Sequence, residues 1–305
     1  MARLLPTLVV FALLGSTAAA FAITEGLKLE KSPITRTAVD KVIAPDSNTS
    51  SRASIGFFLR KPDRLTVVIV DRNGDVVRTL ARSRAARRGT QQFTWNGRDD
   101  ANLLVPDGTY RPRVHLAREH RTILLPNPIR MDATPPLVKL VSIAPRAFSP
   151  DGDGRRDFPR IQYRTSEKAR AVIYVDGDRR ATVRRYVRAG KFDWRGRAVR
   201  RLPAGVYRIT LRAIDLAGNL GRPSRTIAVV VRYVELRPHV LRVKTGTRFG
   251  VRVLTDAKRY SVHLKGLHLL RSGPIVFLHA PAPGRYVLRV AANGHVARAI
   301  VLVSP

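Results

Sequence analysis

Gly205-Val206-Tyr207-Arg208-Ile209-Thr210-Leu211-Arg212-Ala213 is the stretch that decides the fold class. Tyr207, Ile209, Leu211 and Ala213 alternate with the polar Arg208, Thr210 and Arg212. Successive side chains of a strand point to opposite faces, so this run is a strand with one buried face. The same Gly-x-Tyr opening recurs at Gly108-Thr109-Tyr110 and Gly284-Arg285-Tyr286. The tyrosines lie 97 and then 79 residues apart, which suits β-sandwich domains of ~100 residues each.

Two of the three copies belong to a longer block. Phe93-Thr94-Trp95-Asn96-Gly97-Arg98 and Phe192-Asp193-Trp194-Arg195-Gly196-Arg197 share F-x-W-x-G-R. Pro106-Asp107-Gly108-Thr109-Tyr110 and Pro203-Ala204-Gly205-Val206-Tyr207 then share P-x-G-x-Y. Further upstream, Ile55 to Leu59 matches Ile161 to Thr165, and Leu65 to Asp71 matches Arg170 to Asp176. The same blocks in the same order mark a repeat. Leu65 to Val70 is apolar throughout, as in a central strand buried on both faces, and Asp71-Arg72-Asn73-Gly74 follows as a hairpin turn. Arg82 to Gly89 is expected to be an Arg-rich loop. Asp132-Ala133-Thr134-Pro135-Pro136 reads as a linker, because a Pro pair cannot continue a strand ladder. The third unit keeps Gly-x-Tyr without the Trp block. Its strands are expected at Arg248–Leu254, Tyr260–Leu264, Ile275–Leu278, Tyr286–Ala291 and His295–Val303. The expected division is a tether at 24–43 and domains at 44–134, 135–232 and 233–305.

The apolar fraction of 44% is enough for a packed core. There is no Cys, which excludes disulfides, thiolate metal sites and a thiol nucleophile. Lys+Arg number 56 against 22 Asp+Glu, a net charge of +34. A surface so basic attracts polyanions. Two causes fit it: a working polyanion surface, or arginines that merely solvate outward strand faces.

Arg3 is followed by an uncharged run from Leu4 to Ile23. A run of ~20 apolar residues can span a bilayer, so residues 1–23 fit a membrane anchor. Ala20-Phe21-Ala22 also fits the A-x-A site of a cleaved signal peptide. Both place the rest of the chain outside the cytoplasm, as a secreted or surface-anchored protein, and disfavour nucleic acid as a partner.

The block resembles the immunoglobulin-like domain of the flagellar hook-capping family, the FlgD-type module. The matching parts are S-P-D-G-D-G-x-x-D at Ser149–Asp157, a hairpin on a central strand, W-x-G-R and P-x-G-x-Y. The second copy carries all of them. The first has Pro45-Asp46-Ser47-Asn48 in place of the acidic part. The resemblance implies an all-β chain of tandem antiparallel immunoglobulin-like β-sandwiches, without an active site.

Asp151-Gly152-Asp153-Gly154-Arg155-Arg156-Asp157 is the best candidate site. Asp151, Asp153 and Asp157 could clasp Ca²⁺, a hard cation that takes several carboxylate and carbonyl oxygens. The same residues also suit an Asx-type turn, with the carboxylates capping backbone N–H groups. Arg82, Arg84, Arg87 and Arg88, with Arg184 and Arg185 at the matching place, are the candidate polyanion contacts. Their partners would be an anionic cell-wall polymer, a membrane surface or another envelope protein. Trp95 and Trp194 are expected in the core. The seven His show no metal or catalytic spacing, although His263 and His268 could face each other across a turn. No G-x-S-x-G, H-E-x-x-H or phosphate loop is present. The expected protein is a non-enzymatic extracytoplasmic rod, structural or adhesive at the envelope. The competing roles are a scaffold for an extracellular appendage and an accessory module of a separate exported enzyme. Tyr207→Phe is expected to cost ~1 kcal/mol, if the tyrosine hydroxyl anchors the backbone as in an immunoglobulin tyrosine corner.

Overall fold

The computed structural model describes residues 9–19, 32–195 and 202–305. Residues 9–19 form a helix, and no helix among the described residues is long and apolar enough to cross a membrane. The A-x-A motif, most of the 24–43 segment's first half and Gly196-Arg197 of the second Trp block lie outside the described residues. The rest is strand. Contacts divide the chain into Met1–Ala133 and Thr134–Pro305.

The first unit contains β1 (Ile34–Val39), β2 (Val42–Ile43), β3 (Ala53–Leu59), β4 (Asp63–Val70) and β5 (Val76–Ala86). It continues with β6 (Gly89–Trp95), β7 (Gly108–Leu116), β8 (Arg121–Leu124) and β9 (Ile129–Met131). One sheet runs β1-β3-β6; the other runs β2-β9-β7-β4-β5, with β8 beside β7. Ile55, Phe57 and Leu59 on one sheet share a core cluster with Leu65, Val67 and Ile69 on the other. Each such apolar side chain contributes ~1.5–3 kcal/mol when fully buried. β4 is central, paired with β5 and β7, and its last four residues are all buried, as its unbroken apolar run requires. Residues 24–43 read equally as a tether or as a first edge strand; Ile34 and Val39 take β1 into this core, so residues 34–39 are that edge strand.

The expected loop at Arg82 to Gly89 is corrected. β5 stays paired with β4 as far as Ala86, through register shifts. Backbone groups of a strand must be paired along its length, and that demand carries the strand through its arginines. Only Arg87 and Arg88 fall between strands.

The second unit contains β10 (Val138–Ala144), β11 (Ala147–Phe148), β12 (Arg160–Val175), β13 (Asp178–Thr182), β14 (Val187–Asp193), β15 (Gly205–Asp215) and β16 (Ile227–Val231). These form one sheet around a cluster that includes Ile161, Tyr163, Ile173, Trp194 and Leu211. The two strands expected at Ile161 to Thr165 and Arg170 to Asp176 are one 16-residue strand, β12. Pro62-Asp63 breaks the first copy, whereas Ser166-Glu167-Lys168 has no breaker. β12 pairs with β14 through its first half and β15 through its second. Ile161 faces Phe192 as Ile55 faces Phe93, so this part of the two blocks has one register.

The same unit continues with β17 (Glu235–Arg237), β18 (Val240–Lys244), β19 (Arg248–Leu254) and β20 (Tyr260–Leu264). It ends with β21 (Leu267–Arg271), β22 (Ile275–His279), β23 (Gly284–Ala292) and β24 (His295–Ser304). Sheets β17-β19-β22 and β18-β24-β23-β20-β21 enclose a separate cluster that includes Val251, Val262, Leu288 and Val301. In each of the three clusters a short early strand runs parallel to the last: β2 with β9, β11 with β16, and β18 with β24. All other strand pairings among the described residues are antiparallel.

Gly-x-Tyr has one geometry in all three places. The hydroxyls of Tyr110, Tyr207 and Tyr286 donate to the carbonyls of Pro106, Pro203 and Ala282, at 2.8, 2.9 and 2.8 Å. Each ring folds back over the glycine two residues earlier. A Cβ there would lie 3.7, 4.0 or 3.2 Å from ring or hydroxyl atoms. The tyrosines are fold-fixing residues.

Candidate functional site

The acidic loop leaves β11 at the buried Ser149 and returns before β12. Gly152 and Gly154 adopt positive φ, which lets the chain coil tightly. Asp157 holds the coil: its carboxylate accepts the N–H groups of Gly152 and Gly154, at 2.7 and 2.9 Å. Asp151 accepts the Ser149 hydroxyl at 2.9 Å, and Asp153 accepts the Arg155 N–H at 2.8 Å. The loop therefore contains the Asx-type bonds expected of a turn. Among the described residues, neither Arg155 nor Arg156 makes an ion pair with these carboxylates.

Two residues from elsewhere in the unit complete the site. Asp256, between β19 and β20, brings a carboxylate oxygen within 4.8 Å of oxygens of Asp151 and Asp153. Both Asp256 oxygens are buried, and the Ser149 hydroxyl and the Asp256 backbone N–H favour the charged carboxylate. Burial first, then the charges of Asp151 and Asp153, push its pKa up to about 6. Two unit charges at that spacing repel by ~3 kcal/mol at an effective dielectric near 20, before solvent screening. Asn293, in the β23–β24 turn, donates its side-chain amide to Asp151 at 3.0 Å and to Asp153 at 2.8 Å. Beside it, His295 stacks on Tyr233 with ring centroids 3.6 Å apart.

The structure thus brings Asp151 and Asp153 together with Asp256, and commits Asp157 to the backbone of the loop. Asp256 had no motif to reveal it. Asn293 falls between the strands expected at Tyr286–Ala291 and His295–Val303 and is not singled out.

Trp95 is buried and donates its indole N–H to the Arg98 carbonyl at 2.9 Å; Trp194 is also buried. Gly97 explains the W-x-G-R spacing. It has φ +74, and a Cβ there would lie 2.9 Å from the Pro45 side chain. Residues 45–119 match the FlgD Ig-like domain. That FlgD-type module includes the first Trp block and the first Gly-x-Tyr. The basal-body rod modification protein FlgD of Salmonella typhimurium is 37% identical over 68 residues, 22% of this chain and 29% of that protein. The protein of the same name from Salmonella typhi matches equally. The chain therefore spans under a third of the length of these relatives. Among solved structures, fibronectin(III)-like modules of Clostridium thermocellum CbhA cover 65% of the chain, and 94% of themselves, at 16% identity and a TM-score of 0.35. A structure described for host cell surface retention of a 1.5-MDa bacterial ice-binding adhesin covers 90% of the chain and 99% of itself, at 10% identity and a TM-score of 0.26. Scores this low carry no argument.

The candidate polyanion residues are all at the surface. Arg82 and Arg84 lie on β5, Arg87 and Arg88 in the turn after it, and Arg184 and Arg185 in the bend between β13 and β14. Arg84 is partly engaged: it lies 4.4 Å over the Phe93 ring and donates to Gln91 at 3.2 Å. Elsewhere, His263 and His268 are cross-strand partners with rings 4.2 Å apart, edge to face.

Proposed function

We propose that this chain is a non-enzymatic, extracytoplasmic β-sandwich protein, structural or adhesive at the cell envelope. In this reading it has three sandwich domains, divided near residues 134 and 233, with residues 1–23 as export signal or anchor. The observation that carries it is the set of exposed arginines at the β5 edge and the β13–β14 bend, on a chain of net charge +34. Such groups suit electrostatic docking on an anionic wall polymer or a membrane surface. Exposed charges are screened over ~8 Å at physiological ionic strength. The chain should therefore co-sediment with purified wall at low salt and be released as salt rises. Arg82, Arg84, Arg87 and Arg88 changed together to Gln should shift that release to lower salt. No sedimentation at low salt, or salt-insensitive binding, would overturn the reading.

A second reading is a scaffold for an extracellular appendage. It is favoured by the match of residues 45–119 to the FlgD Ig-like domain. It predicts that the protein is lost from cells lacking the appendage and does not bind bare wall.

A further inference from the structure

We propose that the outer face of the sheet β18-β24-β23-β20-β21 docks on an anionic lipid bilayer, with its arginines on the lipid phosphates and its exposed aliphatic side chains in the headgroup layer. This goes beyond the docking proposed for the β5 and β13–β14 arginines, because it commits a different surface to one partner. Strand alternation defines the face. Leu288, Val290, Val301 and Val303 point into the core, so Val287, Arg289, Ile300 and Leu302 point away from it. Register then lines the outward residues up in rows. Arg298 faces Arg289, Arg289 faces His263, and His263 faces His268, one row over four strands. With neighbouring strands ~4.8 Å apart, that row is ~14 Å long. On one side of it runs an apolar row of Val240, Ile300 and Val287. On the other side lie Val296 and Leu270. Beyond the apolar row, Arg242 and Arg285 flank Leu302.

Two observations point to an anionic and amphiphilic partner. The first is charge without counter-charge. Like charges directly opposite each other on a sheet are destabilising, yet Arg289 and Arg298 are cross-strand partners. Among the described residues, neither they nor Arg242 and Arg285 make an ion pair. Val240 to Pro305 holds eleven Lys or Arg and one acidic residue, Asp256, which sits against Asp151 and Asp153 instead. The second is apolar exposure. Val240, Val287, Val296 and Leu270 are 43–59% exposed, on a face that would ordinarily be polar. A soluble polyanion would pair with the arginines and leave these side chains in water. A bilayer surface offers phosphates with acyl chains just beneath them, the combination that interfacial amphipathic segments use.

The test uses the full chain and vesicles of phosphatidylcholine, alone or with phosphatidylglycerol as a third of the lipid, at physiological salt. Sedimentation is expected with the anionic vesicles and much less with the neutral ones. A Lys or Arg near an anionic leaflet raises binding ~5-fold. Arg289→Gln combined with Arg298→Gln should therefore weaken binding ~25-fold. The urea midpoint of that double variant should hold or rise, because a repulsion is relieved; a structural role would lower it. The chain has no Cys, so one introduced thiol can carry a polarity-sensitive bimane label. On Val287→Cys the emission should shift to the blue with anionic vesicles. On His279→Cys, exposed on β22 of the other sheet, it should not. Equal sedimentation with neutral vesicles, unchanged binding in the double variant or a lowered midpoint would each overturn the proposal. So would an absent shift at Val287→Cys, which marks a soluble-polyanion site, or an equal shift at His279→Cys. Purified wall with the β5 arginines changed tests the other reading, so either can fail alone.

Discussion

Tyr110→Phe isolates what the Gly-x-Tyr motif contributes. The substitution removes one oxygen and keeps the ring. The ring is 5% exposed and packs edge-on against Trp95, with centroids 5.1 Å apart. What is lost is the 2.8 Å bond from the Tyr110 hydroxyl to the Pro106 carbonyl. A typical net loss for one such bond is ~1 kcal/mol, and ~1–3 kcal/mol if the remaining carbonyl is cut off from water. The Pro106 bond is only partly buried, so the lower figure applies. Tyr207 and Tyr286 make the same bond in more exposed surroundings, where water can replace the hydroxyl. Their Phe variants should cost about half as much. Trp95 lies beside Tyr110 and reports on the first unit in a Trp194→Phe background. With a urea dependence of ~1–2 kcal/mol per molar, the midpoint should fall by ~0.5–1 M in Tyr110→Phe. A fall below ~0.2 M, or a larger effect at Tyr286 than at Tyr110, would refute the corner as a stabilising device.

Gly190→Ala should destabilise the second unit by ~1–3 kcal/mol, because overpacking a dense core forces side chains off their rotamers. A Cβ at Gly190 would lie 2.5–2.8 Å from Tyr163, which is 2% exposed and has no room to retreat. The urea midpoint followed by Trp194 in a Trp95→Phe background measures it, and a neutral or stabilising result would disprove the close approach. Asp63→Asn should expose an acid-dependent contribution in the first unit. Burial alone would raise the Asp63 pKa, but N–H bonds from Arg118, Arg64 and Glu119 outweigh it and hold the pKa below its ordinary value. A carboxylate whose folded pKa is depressed stabilises above its unfolded pKa of ~3.9 and loses that contribution as pH falls through the folded value. The gap between wild type and Asp63→Asn should be ~2 kcal/mol near pH 7 and close toward pH 2 in urea titrations; a gap independent of pH would contradict this. Gly97→Ala should also weaken the first unit by ~1 kcal/mol or more, since φ +74 strains any side chain. Thermal melts can check it, and an unchanged melting temperature would count against the account of W-x-G-R.

Sequence alone determined the strand alternation, the repeated Trp block and the tyrosine spacing. These are local: period-2 patterning and a bond to a carbonyl four residues upstream need no knowledge of distant chain. It also placed Asp151 and Asp153 in a Gly-bent loop. Tertiary structure decided the rest. β5 runs on through Arg82 and Arg84 because β4 supplies partners for its backbone, and β12 is continuous because nothing breaks it at Ser166. Asp157, equal to its neighbours in sequence, is occupied by the N–H groups of Gly152 and Gly154. Asp256 and Asn293 sit in ordinary turns and acquire meaning only where β19, β23 and β24 deliver them to the acidic loop. No short-range pattern encodes that meeting, because it depends on how two sheets and a loop more than a hundred residues away pack together.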